Sequence, residues 1–192
     1  IMSIGRSFEE AIQKGFRMVD PNVNGFSWSP ESKTREEFRN EDALTEELTR
    51  ATDRHFFAIF QALYQGWSVE RISKLNKMDH WFLTKLERIV QIHKRLEKYN
   101  IKDIPFGLLK EAKQAGFSDR QIATIIKSNE IEVRTVRKGH NIIPYTKKID
   151  TLGGEFPCVS NNLYVTYNAN ADEICYNSNR KGAIVVGSGC YR

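Results

Sequence analysis

A seven-residue corner occurs twice in this chain, fifty positions apart, and it limits the fold more than any other feature. Gly66-Trp67-Ser68-Val69-Glu70-Arg71-Ile72 is matched by Gly116-Phe117-Ser118-Asp119-Arg120-Gln121-Ile122. In each copy a glycine turns the chain, taking backbone angles that cost other residues energy. An aromatic side chain then plugs the corner, a serine caps the next helix, and an isoleucine enters the core. Two copies are too few for a solenoid. The pattern predicts a mainly α fold of paired helical hairpins, which an internal duplication could have produced.

The flanking segments agree. Ser7 followed by Glu10 reads as a capping box, with the glutamate reaching back to the cap residue's amide. Phe8, Ala11, Ile12 and Phe16 then recur at helical spacing, so a helix is predicted from about Phe8 to Met18, stopped by Asp20-Pro21. Asp53 is the expected cap of a helix carrying Phe56, Phe57, Phe60, Leu63 and Tyr64. Ser68 opens a short helix, and Asp79 opens the longest one, with Phe82, Leu83, Leu86, Ile89, Val90 and Leu96 as its apolar stripe. A second set starts near Pro105 and carries Leu108, Leu109 and Ala112. Ser118 with Gln121 makes another capping box, and Asn129 with Glu132 starts a last helix that ends at Gly139.

Between these elements the chain changes character. From Pro21 to about Arg39 it is rich in Ser, Asn, Gly, Pro and charge, and reads as a linker wrapped on a surface with Phe26 and Trp28 as anchors. After Pro144 the signal turns to strand: Leu163 to Tyr167 alternates, and Ala183-Ile184-Val185-Val186 is a short apolar run before glycines. The polar stretch from Asn168 to Gly182 between them reads as loose. Both ends, Ile1-Met2-Ser3-Ile4-Gly5-Arg6 and Gly187-Ser188-Gly189-Cys190-Tyr191-Arg192, look like cuts.

Composition narrows the function classes. The 192 residues are 40% hydrophobic and 28% charged, enough for a core. No apolar run is long enough to span a bilayer. The formal charge of +5 is modest, and basic residues are interleaved with acidic ones, as on solvated helix faces. Three cysteines, Cys158, Cys175 and Cys190, cannot all pair in one chain, and reduced thiols are the simplest account. His55, His80, His93 and His140 are scattered, without the spacing of a metal site. Glu9 and Glu10 are adjacent and face different directions, so they are not a catalytic pair.

Three segments invite a chemical reading. A strand running into Gly187-Ser188-Gly189, with Arg192 beyond, resembles the opening of a nucleotide-binding turn, but the helix that would hold phosphate is missing and a structural turn is the simpler account. Ser118 to Arg137, with Arg134, Arg137 and Lys138, fits a helix-turn-helix DNA reader. There, Ile131, Val133 and Val136 use much of the second helix, which favours packing over base reading. Trp81-Phe82 and Phe56-Phe57 could line a pocket, although helical spacing makes them core or interface first.

Taken in order, these segments resemble the large synthetase subunit of carbamoyl-phosphate synthase, in a form closer to eukaryotic than to bacterial members. Met2 to Glu10 looks like the stretch leaving the first synthetase unit. Asp79-His80-Trp81-Phe82-Leu83 resembles the family's D-R-W-F-L helix start, with His80 where arginine is usual. Gly116-Phe117-Ser118-Asp119 matches the second hairpin corner. Ile149-Asp150-Thr151-Leu152-Gly153-Gly154-Glu155-Phe156 resembles I-D-T-x-A-A-E-F, with glycines for both alanines. Asn161 to Tyr167 resembles T-N-Y-L-Y-x-T-Y, and the end resembles the V-L-G-x-G-P-x-R-I-G turn, with Cys190 for proline. The stretches Asn22 to Thr52 and Ala169 to Lys181 match poorly.

The resemblance implies a layout: residues 1–21 as the tail of a first ATP-grasp synthetase unit, 22–143 as a helical oligomerisation domain, and 144–192 as linker and first strands of a second, α/β pre-ATP-grasp unit. It implies a parent enzyme, cytoplasmic or mitochondrial, that makes carbamoyl phosphate from bicarbonate, ammonia and two ATP, with Mg or Mn. The family's metal and ATP residues lie outside this stretch, so no cofactor and no catalysis are expected of it alone. Its expected partners are the two synthetase units, further copies of the large subunit and a glutaminase subunit or domain, with no nucleic acid and no membrane. Asp79, Trp81, Phe82, Leu83, Gly116 and Phe117 are the expected structural and assembly positions.

Overall fold

Both glycine corners form as the sequence demands. Gly66 and Gly116 take φ values of 89° and 88°, which is left-handed territory that strains any side chain. After each, the aromatic residue's amide reaches back over the helix end: Trp67 N donates to Ala62 O and Phe117 N to Ala112 O, both at 3.0 Å. The serines then cap, Ser68 Oγ accepting from Arg71 N at 3.2 Å and Ser118 Oγ from Gln121 N at 3.0 Å.

The structure, a computed structural model, describes residues 1–160, 162–174 and 182–183. Within these the order is α1 (Phe8–Val19), α2 (Ser32–Glu37), α3 (Glu41–Thr49), α4 (His55–Tyr64), α5 (Val69–Asn76), α6 (His80–Leu96), α7 (Phe106–Gln114), α8 (Asp119–Ile125), α9 (Glu130–Gly139), β1 (Tyr145–Lys148) and β2 (Leu163–Thr166). The duplication extends well past the corner. At the same fifty-residue offset α4 matches α7, α5 matches α8, and α6 matches α9. Asp79 and Asn129 cap equivalent helices, accepting from Trp81 N and Glu132 N. Lys77 and Lys127, which end α5 and α8 or follow closely, both turn left-handed, at φ 59° and 56°.

The two copies pack into one core. Phe26, Phe38, Phe60, Phe117, Leu44, Leu48, Ile59, Ile72, Leu83, Leu86, Ile89 and Ile92 are all fully buried. Burial of an aliphatic or aromatic side chain of this size is worth roughly 1.5–3 kcal/mol, so this set supplies the main drive for folding. Phe26 is driven in from the 21–39 segment and meets the Phe60 ring edge-on at 5.3 Å. That segment anchors as expected, but it is not wholly a linker, since it contains α2. The stretch after it forms α3, whose Asn40 side chain caps both Asp42 N and Ala43 N and whose Leu44 and Leu48 are buried.

Four local expectations need correction. Asp53 does not cap α4; Arg54 holds the cap position and makes no side-chain cap hydrogen bond to the described residues. Pro105 sits just outside α7 as its cap residue and not within its first turn. The carboxylate of Glu10 reaches the amide of Arg6 at 2.9 Å, one residue beyond the cap. Gln121 does not close its capping box; its side chain amide turns to Gln13 Oε1 at 3.4 Å.

The predicted strand at Leu163 is present as β2, and it pairs antiparallel with an unpredicted β1, Tyr145 opposite Thr166 and Lys148 opposite Leu163. Gly153 and Gly154, the two departures from the family pattern, lie in the connecting loop with φ of 63° and 78°. Positive φ is where alanine would be strained. The predicted strand from Ala183 and the turn residues Gly187, Ser188, Gly189 and Arg192, with Cys175 and Cys190, lie outside the described residues apart from Ala183 itself.

Candidate assembly face and inter-segment clamp

The first turn of α6 presents its aromatic pair outward. Asp79 Oδ1 accepts from Trp81 N at 2.8 Å and fixes where the helix begins. From there the 3.6-residue period carries Leu83 into the core, fully buried, and leaves Trp81 52% and Phe82 42% exposed. Phe82 therefore lies at the rim of the apolar stripe and does not belong to the buried core. The two rings meet at 5.0 Å, and Phe8 of α1 packs against both, at 5.5 and 5.4 Å. Lys85 Nζ lies 5.4 Å from the Trp81 ring centre. Beneath, the buried Glu9 carboxylate faces Arg88 at 3.3 Å and Lys85 at 3.9 Å. At the matching position of the second copy Ile131 is 69% exposed. Exposed large apolar side chains that touch one another are the mark of a contact surface.

A second site ties distant parts of the chain together through α1. Glu10 is 2% exposed. Its Oε2 accepts from Arg6 N at 2.9 Å, Thr166 Oγ1 at 3.0 Å and Asn168 Nδ2 at 3.0 Å, while Lys14 Nζ stands 3.0 Å from Oε1. Burial pushes the Glu10 pKa up, but these hydrogen bonds and the Lys14 charge outweigh it and hold the carboxyl below its usual range. One turn on, Gln13 Oε1 accepts from Phe26 N at 2.7 Å. Arg17 Nη1 then donates to Gly116 O at 2.9 Å. Gly116 has a second reason to be glycine here, because a Cβ would stand 2.8 Å from Glu10 Cα. Phe117 is buried under the same corner.

The third feature is a buried ion cluster in the second copy. Asp119 accepts from Lys113 Nζ at 2.7 Å and from Arg137 Nε at 2.8 and 3.0 Å. All three residues are buried. The Tyr167 ring covers both cations, 4.7 Å from Lys113 Nζ and 5.6 Å from the Arg137 guanidinium carbon. Burial pushes the Lys113 pKa down to about 8, against the pull of Asp119. Burial raises the Asp119 pKa, but Lys113 and Arg137 bring it below its ordinary value. In the first copy the equivalent positions are Leu63 and Val69, both in the apolar core. One architecture thus holds a hydrophobic pair in one half and an ion pair in the other.

The cluster gives the DNA-reading alternative no support. Arg137 is spent on Asp119 and on Ile142 O at 3.1 Å. Arg134 lies 3.0 Å from Glu130 and 3.7 Å from Asp119. Two of the three basic side chains that would face phosphate are thus held by partners within the protein, and Lys138 is exposed.

Sequence reasoning singled out Asp79, Trp81, Phe82, Leu83, Gly116 and Phe117, and the structure places the first four in one helix start and the last two at the α1 crossing. It missed Lys113 and Asn168, saw Asp119 only as part of the corner, and gave Glu10 and Gln121 no role beyond capping. One signal was available: the two corners differ in chemistry where Val69 is matched by Asp119.

A duplicated helical body that shows an aromatic face and pins two remote segments side by side defines a helical assembly module. Residues 1–141 match the family described as carbamoyl-phosphate synthetase large chain, oligomerisation domain, and the chain belongs to that family. It is 43% identical over 195 aligned residues to the multifunctional protein ura1 of Schizosaccharomyces pombe, covering the whole of this chain and 8% of that protein. It is 43% identical to the arginine-specific carbamoyl phosphate synthase large chain of Cutaneotrichosporon cutaneum, over its whole length and 15% of the relative's. With the corresponding large chain of Eremothecium gossypii the identity is 44%, again over the whole chain and 17% of the relative. The chain therefore spans less than a fifth of the length of these relatives. Among the described residues no helix is long and apolar enough to cross a membrane.

Proposed function

We propose that this chain works as the joint and assembly surface of a larger carbamoyl-phosphate synthase, bringing copies of that enzyme together through the Trp81–Phe82 face of α6. In this reading residues 1–21 belong to a first synthetase unit, 22–143 to the joint, and 144–192 to the entry of a second unit. The parent would supply the ATP- and Mg- or Mn-dependent chemistry, with ammonia delivered by a glutaminase subunit or domain or taken up free. Its pathway would be pyrimidine or arginine synthesis, and its compartment the cytoplasm or the mitochondrion; relatives named multifunctional and arginine-specific, one of the latter also mitochondrial, are in keeping with that range.

The observation that carries the assembly reading is the exposed aromatic pair at the start of a helix whose other apolar side chains are buried. A second copy would cover it and remove it from water. Light scattering coupled to size exclusion tests this across a concentration series. The average mass is expected to rise with concentration and to fall back in a Trp81→Ser, Phe82→Ser double variant. A strict monomer at every concentration, or a variant that assembles as well as the parent, would remove the reading.

A further inference from the structure

We infer that the β1–β2 hairpin with its following segment is a strap, latched to the helical body by polar contacts centred on Glu10, and able to release as a unit while the helices stay folded. The inference rests on the joint reading for its biological sense, since such a strap would let one flank of the joint move against the other.

The first support is how little of the strap's attachment is apolar. Leu163 and Val165 are both exposed, and Thr166 is the one residue of the two strands that is buried. Its hydroxyl donates to Glu10 Oε2 at 3.0 Å. The remaining ties are of the same kind. Lys14 Nζ reaches Val165 O at 2.7 Å, Arg6 Nη1 reaches Asn168 O at 3.1 Å, and Asn168 Nδ2 is shared between Glu10 Oε2 and Gln114 O at 2.8 Å. Tyr167 adds its ring over Lys113 and Arg137. Hydrogen bonds and exposed ion pairs exchange with water at small net cost, whereas apolar burial does not.

The second support is that the strap is complete in itself. Its strands bond to each other along their length. The outer edge of β1 is closed by the chain's own return: Thr146 N donates to Asp172 Oδ1 at 2.6 Å, Lys148 N to Glu173 Oε2 at 2.8 Å, and Glu173 N to Thr146 O at 3.0 Å. The third support is that the strap adds little to the helical core, Tyr167 being its one half-buried side chain packed against it. The buried core runs from Phe26 to Ile142 and contains no residue of either strand. Two bodies, each internally bonded, meet across a polar seam with one buried carboxylate at its centre.

Hydrogen exchange read by mass spectrometry on the intact chain tests this. In Glu10→Gln the amides of residues 145–148 and 163–168 are expected to exchange about tenfold faster or more, the loss of charge-assisted hydrogen bonds being of that size. The amides of α4 and α6 should keep the parent rate. Thr166→Val, made from the strap side and harmless to α1, should shift the same amides in the same direction. Acceleration of α4 and α6 in step with the hairpin would show that the strap belongs to the cooperative core and would overturn the inference, as would parent-like exchange in both variants. The measurement compares two parts of one molecule, so a chain that never self-associates still tests the strap while failing the assembly reading.

Discussion

Gly66 and Gly116 share a conformation and differ in surroundings, which makes them a matched pair of residues. Among the described residues nothing lies within 4 Å of a Cβ at Gly66, whereas a Cβ at Gly116 meets the backbone of α1 at 2.8 Å. Alanine at 66 therefore suffers only backbone strain, expected to cost about 1–2 kcal/mol. Alanine at 116 must also displace α1, and a loss of about 3 kcal/mol or more is expected. Thermal melts of the two variants decide it; equal losses would show that α1 does not press on the corner. Asp119 gives a second residue-level prediction. Asp119→Asn leaves Lys113 and Arg137 buried without their anion, and a loss of about 3–5 kcal/mol is expected in chemical denaturation.

His93 adds a pH dependence at the same scale. It is buried against Phe60, Tyr64 and Trp28, with Nε2 3.4 Å from Glu97 and Nδ1 without a partner among the described residues. Burial lowers its pKa below the usual 6.5, against the pull of Glu97. The unfolded chain then binds the proton first, so stability is whole above pH 6.5 and falls as pH drops through the folded value. Glu10 and Asp119, whose pKa values also lie below their usual 4.5 and 3.8, lose their contribution in a lower window by the same sign. Denaturation midpoints measured from pH 7 downward should decline from near 6.5 in the parent, and His93→Leu should flatten that first limb while leaving the later one.

At the scale of elements, what could be read from the chain is what is decided within a few residues. Ser68, Ser118, Asp79 and Asn129 cap their helices as their local sequence demands, and the glycine corners follow from one backbone preference. Replacing Ser68 or Ser118 by alanine is expected to cost about 1 kcal/mol each, measurable as parallel shifts of the denaturation midpoint. Two of the elements that escaped have weak local signals. α2 reads Ser-Lys-Thr-Arg-Glu-Glu, with no apolar stripe. In β1, Tyr-Thr-Lys-Lys does not alternate. The Glu10 clamp was illegible for a different reason: its partners Thr166 and Asn168 lie 156 and 158 residues away, and a pattern of short period carries no record of such a meeting. Asp53 failed as a cap because Arg54, in helical backbone geometry, takes that place.

At the scale of the whole molecule, two kinds of cohesion coexist. The nine described helices share a hydrophobic core, and the hairpin is held by charge and hydrogen bonds. Membership of the oligomerisation-domain family then makes physical sense of the outward aromatic pair. An assembly surface requires apolar side chains that the monomer leaves uncovered, and a stable body to carry them. If the seam to the hairpin is polar, raising the salt concentration should weaken its exposed ties and spare the core. Exchange of the hairpin amides would then quicken between 0.1 and about 1 M salt by a larger factor than exchange in α6, by an amount set by screening over that range.

The fifty-residue repeat has a practical consequence. Each position in one half has a twin in the other that shares its backbone and differs in its neighbours: an oily pair at 63 and 69, an ionic one at 113 and 119. A substitution made at both twins subtracts away everything intrinsic to the amino acid and leaves the influence of environment alone. The molecule carries its own control experiment.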